Sequence, residues 1–314
     1  MRTSRRRFVA GLGAGAAWAA LGGPAPVGAK ASPRVAITMD DNSWGDAPLL
    51  DPKSRNDAIL GALKARKLEA ALFICGKRVD DEAGRALVAT WDRAGHIIGN
   101  HSYSHLYYNS KKVDFAQFSE DLVRNEPIVA GHPRFRKLFR FPYLKEGNTV
   151  EKRDAMRRFL KERGYRNGHV SIDASDWYVD QRMRERLTKD LKADLAPYRK
   201  YYLEHVWERS SFYEELGRKV LGRSIPHTLL VHGNLLNALF LGDVLTMFRS
   251  KGWGLVDAEE AFEDRVYSSE PDIVPAGESL VWALAKATGK YEPILRYPAE
   301  DGEYEKPRMD ALGL

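Results

Sequence analysis

Five apolar runs, rich in β-branched and aromatic residues, each end in a short polar string, and the five stand in a fixed order. The strings are TMDD (Thr38 to Asp41), HSYSH (His101 to His105), RFPY (Arg140 to Tyr143), DASDW (Asp173 to Trp177) and LLVH (Leu229 to His232). Short apolar runs of this kind read as buried strands. The polar strings therefore fall at strand C-terminal ends, the face on which barrel-type α/β folds gather their functional groups.

Amphipathic stretches separate the runs, so the chain reads as repeated βα units. Strands are expected at 35–40, 70–76, 96–100, 138–141, 169–172, 228–232 and 253–257. Helices are expected at 55–67, 82–94, 115–129, 150–163 and 235–251. Gly95, Gly164 and Gly252 stand where helix-ending glycines belong. Seven such units fit a closed or nearly closed barrel better than an open doubly wound sheet, and no Gly-rich phosphate loop follows the first strand. The expected fold is an α/β, distorted (β/α)7 TIM-like barrel over 32–265, with a helical insertion at about 178–224, before the sixth or seventh strand. A polar extension over 266–314 should hold one helix at 278–287.

The 49 basic and 43 acidic residues suggest a basic protein, but residues 1–31 contribute five cations and no acid, leaving 44 against 43. The basicity belongs to the leader, so nothing here argues for nucleic-acid binding. That leader runs from Ser4-Arg5-Arg6-Arg7-Phe8 through a Gly/Ala-rich stretch to Ala29-Lys30-Ala31. It reads as a secretory signal of the twin-arginine type, implying a periplasmic or secreted protein with no permanent membrane anchor after cleavage. Cys75 is the single cysteine. Inside an apolar run it reads as a small buried hydrophobe.

His101 and His105 form an H-x-x-x-H pair that can direct two imidazoles at one metal from a helical turn or a tight loop. A carboxylate would complete a three-ligand site, and Asp41 is the natural candidate. Adjacent residues of an extended chain point to opposite sides, so Asp40 is left free to act as a base. His232, at the end of a buried strand, becomes a general acid if a carboxylate such as Asp176 keeps it protonated. Arg140 can hold a base carboxylate by paired hydrogen bonds, or form an ordinary ion pair with Asp173.

With these residues in place, the stretch from about Arg34 to Ala258 resembles the polysaccharide deacetylases of carbohydrate esterase family 4, the NodB-homology group. Connecting stretches such as ALFICG and AGHIIGNHSYSH share in the likeness. The resemblance implies a hydrolase that removes N-acetyl (or O-acetyl) groups from a polysaccharide such as peptidoglycan or a chitin-like glycan. It implies one divalent metal ion, usually zinc, on Asp41, His101 and His105. Asp40 would be the base, His232 the acid, Arg140 the residue orienting the base, and Asp176 the carboxylate tuning the acid. The N–H of Tyr143 would donate to the oxyanion, with Trp177 and Leu230 as walls of the acetyl pocket.

Two features depart from the family pattern. Asn42 follows the second aspartate where Gly is usual, and the segment before His227 is unusually long. Its aromatic residues Tyr201, Tyr202, Trp207 and Tyr213 are candidates for sugar or packing contacts. The insertion then reads either as a wall or lid over the substrate cleft, dispensable for a small acetyl ester, or as a solvated hairpin shielding the barrel. Near the rim, Trp44, Tyr103, Tyr107, Tyr143, Trp177 and Tyr178 suit stacking on a sugar. Two alternatives stay open beside the glycan hydrolase: an amidohydrolase acting on a non-carbohydrate amide, and a catalytically silent glycan-binding protein.

Overall fold

A computed structural model describes residues 32–41, 45–296 and 302–314. The leader and the 42–44 segment, with Asn42 and Trp44, lie outside the described residues. Strand β1 (Arg34–Asp40) is apolar on both faces and buried over six of its seven residues, as a central parallel strand covered on both sides must be. Around it stand β2 (Ala71–Ile74), β3 (Ile97–Asn100), β4 (Phe135–Phe139), β5 (Lys145–Gly147), β6 (Arg166–Asn167), β7 (Ile172–Asp173) and β8 (Pro226–His232). The main sheet has the order β6-β4-β3-β2-β1-β8-β7, with every pairing parallel. β9 (Gly254–Leu255) pairs with the start of β1.

The two edges of this seven-strand path, β6 and β7, are consecutive in the chain and only residues 168–171 separate them. Gly168 N–H donates to Phe139 O (2.7 Å) and Ser171 N–H to Thr228 O (3.1 Å), so this short link is tied to both edges. The sheet is therefore curled into a barrel-like form. The expected 169–172 strand is this link, with regular pairing only beyond its ends.

Helices α1 (Pro52–Ala65), α2 (Glu82–Arg93), α3 (Phe115–Val129) and α4 (Val150–Glu162) follow successive strands. Each begins where a side chain accepts an otherwise unpartnered backbone N–H: Asp51, Asp81, Asp114 and Thr149. Gly95, Gly164 and Gly252 adopt positive φ (91°, 73° and 80°), as their places at helix ends require.

The insertion precedes the seventh strand of the path. It comprises α5 (Asp176–Lys189) and α6 (Ala196–Leu221), which opens with Pro197 in its first turn. Leu191, at helical spacing from Leu187 and Leu195, falls in the connection between the two helices and is 64% exposed. α7 (Leu235–Ser250) and α8 (Ala258–Phe262) follow. The C-terminal extension is more structured than its polarity suggests. β10 (Ala276–Gly277) pairs antiparallel with β5, while α9 (Leu280–Ala287) and α10 (Lys306–Ala311) carry the buried residues Val281 and Met309. Cys75 is buried, as its apolar surroundings in the sequence imply.

Phe73 is the pivot of the interior. A Cβ added at Gly99 would lie 2.7 Å from its ring, and one at Gly168 only 2.4 Å from it. The two glycines thus form the notch that seats the ring in the interior. Gly99→Ala should destabilise the protein by about 1–3 kcal/mol, the usual cost of forcing atoms into a packed interior. Chemical denaturation measures this, and wild-type stability would mean that the notch is slack.

Candidate active site

All five polar strings meet at the C-terminal end of the sheet. Asp40, Asp173 and His232 close β1, β7 and β8, while His101 and Arg140 directly follow β3 and β4. All of these but the buried Arg140 border a cavity of about 700 Å³ that is also lined by Asp41, His105, Tyr143, Trp177 and Leu230.

At Asp41 the chain leaves the extended conformation (φ 47°). A turn, added to strand alternation, thus separates its carboxylate from that of Asp40. The histidine pair is carried by a tight loop with left-handed Ser102 (φ 61°) and His105 (φ 56°), not by a helix. Ligand atoms of Asp41, His101 and His105 lie within 4.8 Å of one another.

The donor chemistry suits a divalent cation. His101 Nδ1 is 2.8 Å from Arg140 O, an atom that can only accept, so Nδ1 carries the proton and Nε2 presents a lone pair. His105 Nε2 lies 3.0 Å from Asp41 Oδ2. Asp41 Oδ1 is buried without a hydrogen bond, although Arg78 Nε lies 3.1 Å away. Burial opposes ionisation of Asp41. The hydrogen bond from His105 and the charges of His101, His105 and Arg78 outweigh it and hold the carboxyl well below its usual range. Burial pushes His101 down, which favours the neutral imidazole that a metal requires.

Asp40 stands apart from this cluster. Its Oδ1 accepts from Arg140 Nη1 at 2.8 Å, and its Oδ2 is 3.7 Å from His101 Nε2. Arg140 is itself fixed: Nε donates to Gly168 O (2.7 Å), Nη1 also donates to Thr38 Oγ1 (2.9 Å), and the guanidinium lies 4.0 Å over the Phe73 ring. Its carboxylate partner is Asp40 and not Asp173.

His232 and Asp176 form a second pair, with His232 Nδ1 2.7 Å from Asp176 Oδ1. Asp176 is the first residue of α5, and Ser175 ahead of it adopts a left-handed conformation (φ 49°). Asp176 Oδ2 accepts from His232 N (2.9 Å), Asn234 Nδ2 (3.1 Å) and Asn237 Nδ2 (2.7 Å). Burial works against charge on His232. Attraction to Asp176 and the hydrogen bond with it, together with the charges of Asp40 and Asp41, overcome that penalty and push the imidazole up to about 9.

Tyr143 is half exposed in a left-handed turn (φ 57°), its ring edge-on to His105 at 4.6 Å and to Tyr107 at 5.3 Å. Trp177 and Leu230 line the same cavity. Tyr178 is buried, and Tyr103 packs under Arg124 (3.7 Å).

Asn234 and Asn237 stand at the start of α7, where the Asn234 side chain accepts from Asn237 N (2.9 Å), and sequence reasoning singled out neither. Asp180, Gln181, Arg184 and Glu185 of α5 form one wall, so the insertion does reach the cleft, through its first helix. Burial pushes Asp180 up to about 6. Glu278, paired with Lys145, brings the C-terminal extension to the rim. Tyr201, Tyr202 and Tyr213 are buried, and Trp207 packs edge-on against Trp253 at 5.9 Å, so these four aromatics are packing contacts.

With this arrangement in view, the comparisons with known proteins agree. Residues 28–167 match the family model for polysaccharide deacetylase. It is 32% identical over 145 residues to a peptidoglycan-N-acetylglucosamine deacetylase of Bacillus cereus, covering 46% of this chain and 60% of that protein. It is 26% identical over 153 residues to a peptidoglycan-N-acetylmuramic acid deacetylase of Bacillus subtilis, covering 49% of this chain and 55% of that one. The fold is shared with the chitin deacetylase of the fungal pathogen Colletotrichum lindemuthianum (TM-score 0.52, 19% identity, 75% of this chain and 90% of that one). It is shared equally with a CE4 family pseudoenzyme of Bacillus anthracis (TM-score 0.52, 15% identity, 75% and 67%).

The raised His232 value has a thermodynamic consequence. A group whose folded-state value exceeds its ordinary 6.5 adds stability that is complete below 6.5 and is lost as pH rises through about 9. Denaturation midpoints of the metal-free protein should fall across that window. In Asp176→Asn the fall should shrink and move to lower pH, and an unchanged profile would show that the pair does not control this titration.

Proposed function

We propose that the protein is a metal-dependent hydrolase that removes N-acetyl groups from an acetylated glycan of the peptidoglycan or chitin type. The observation that carries this reading is the convergence on one cavity of a three-ligand cluster and two carboxylate pairs, Asp40–Arg140 and Asp176–His232. The peptidoglycan substrates of the relatives that match 46–49% of the chain support it. Asp41, His101 and His105 would hold one divalent ion, with Zn²⁺ favoured by two imidazoles and a carboxylate. When bound, the ion supplies Lewis-acid polarisation and lowers the pKa of water.

The chain's own residues account for the proton movements. Asp40, oriented by Arg140, takes the proton from the attacking water. His232, charged below about pH 9, delivers a proton to the departing amine, and Asp176 stabilises the imidazolium. The N–H of Tyr143 donates to the oxyanion, while Trp177 and Leu230 hold the acetyl methyl.

The test is acetate release from N-acetylated peptidoglycan fragments and chito-oligomers, with and without a chelator. Chelation should abolish release and a divalent metal restore it. Elemental analysis should find one ion per chain, lost in His101→Ala and His105→Ala. Asp40→Asn and His232→Ala should each cut turnover by on the order of 10²-fold while retaining metal. Asp176→Asn should move the alkaline limb of activity to lower pH, because it removes the charge that raises His232. Absence of acetate release by metal-loaded protein from every substrate would overturn the reading in favour of a silent glycan-binding role.

Export through the leader belongs to the same reading, since a peptidoglycan substrate lies outside the cytoplasm. Among the described residues no helix is long and apolar enough to cross a membrane. Replacing Arg5 and Arg6 by Lys should leave precursor in the cytoplasm, and normal export of that variant would point to the general secretory route instead.

A further inference from the structure

Tyr202 lies on α6, wholly buried and away from the cavity lining, and its hydroxyl is 2.7 Å from Asn237 Oδ1. Asn237 Nδ2 in turn lies 2.7 Å from Asp176 Oδ2 and 2.9 Å from His232 O. Chemistry sets the direction of this chain of hydrogen bonds. A carboxylate and a carbonyl oxygen only accept, so Asn237 must turn its amino group towards them. Its carbonyl oxygen then faces Tyr202, which must donate. Burial raises the Tyr202 phenol well above its ordinary value, so it stays a donor at every working pH.

We propose that Tyr202 is a positioning residue for the catalytic acid: by fixing the Asn237 amide it fixes the Asp176 carboxylate that orients and charges His232. The inserted helix α6 thereby contributes to the chemical step and not to glycan binding. This inference rests on the reading of His232 as the acid. Without the phenol, Asn237 Oδ1 would be buried without that donor. A flipped amide would set a carbonyl against a carboxylate, and either state loosens Asp176. α5 holds the start of α7 at a second point, where Asp180 Oδ1 accepts from Leu236 N at 2.9 Å. The charged groups facing His232 are Asp176 and Asp180 from α5, and Asp40 and Asp41 from the end of β1. Removing one hydroxyl from α6 alters none of these charges, only the order of the pair. The expectation that the insertion is dispensable for a small ester then fails, because its removal would take the support of the acid with it.

The experiment compares Tyr202→Phe with the parent in the full-length, metal-loaded protein. With a small activated acetyl ester and a glycan fragment alike, kcat should fall by the same factor, roughly three- to tenfold, with KM unchanged. The His232 imidazole, followed by NMR, should titrate lower by about half a unit to one unit. In an Asp176→Asn background the Tyr202→Phe change should add nothing further. Asn237→Ala should reproduce the shift by an independent cut in the same chain of hydrogen bonds. An unchanged His232 titration, or a KM effect confined to the long glycan, would overturn the inference. The NMR titration needs no turnover, so a Tyr202-dependent shift in a protein inactive on every glycan would uphold the positioning link and sink the proposed reaction instead.

Discussion

A single buried arginine joins four strands and the candidate active site. Arg140 follows β4, donates its own N–H to Asn100 O at the end of β3 (2.9 Å), and lends its carbonyl to His101. Its side chain crosses the interior to Thr38 and Asp40 of β1, and rests on Phe73 of β2. Burying a charge this completely is tolerable only when a partner and fixed dipoles replace water. Here the partner is Asp40 and the dipole is Gly168 O. Arg140 therefore sets the tautomer of one candidate ligand through its carbonyl and the orientation of the candidate base through its guanidinium.

The site divides along the sheet. On the β1–β3–β4 side, Asp40, Asp41, His101, His105 and Arg140 form the candidate metal and base region. Across the β1–β8–β7 edge, Asp176, His232, Asn234 and Asn237 form the candidate acid region. The first half lies within the segment that matches the family model and the second lies beyond it. A likeness in fold to active enzymes and to a pseudoenzyme alike shows why activity has to be argued from these side chains and not from the sheet.

The inserted helices and the C-terminal extension are built into this framework. α5 begins with Asp176, so the insertion departs from the partner of His232 and not from a free loop. α6 buries four tyrosines, and Met309 of α10 joins the same core. Glu278 returns the extension to the cavity rim beside Lys145. Cavity lining and core packing are thus drawn from the same segments.

By itself the sequence determined the βα succession, the helix ends and the strand-end location of all five polar strings. Those features depend on local periodicity, capping side chains and glycines, which are written in consecutive residues. Leu191 shows the limit of periodicity, since a leucine in helical register carries no signal that the helix has already ended. The partners of each charge were decided only by the tertiary structure. Arg140 could have paired with Asp173, and becomes the partner of Asp40 because Phe73, seated between Gly99 and Gly168, carries its guanidinium across the barrel. Asn237 carries no signal in the sequence, and only the packing of α6 on α7 shows its amide wedged between Tyr202 and Asp176. Contacts between residues 35 to 100 positions apart depend on how the sheet curls, and no local pattern in the chain encodes that.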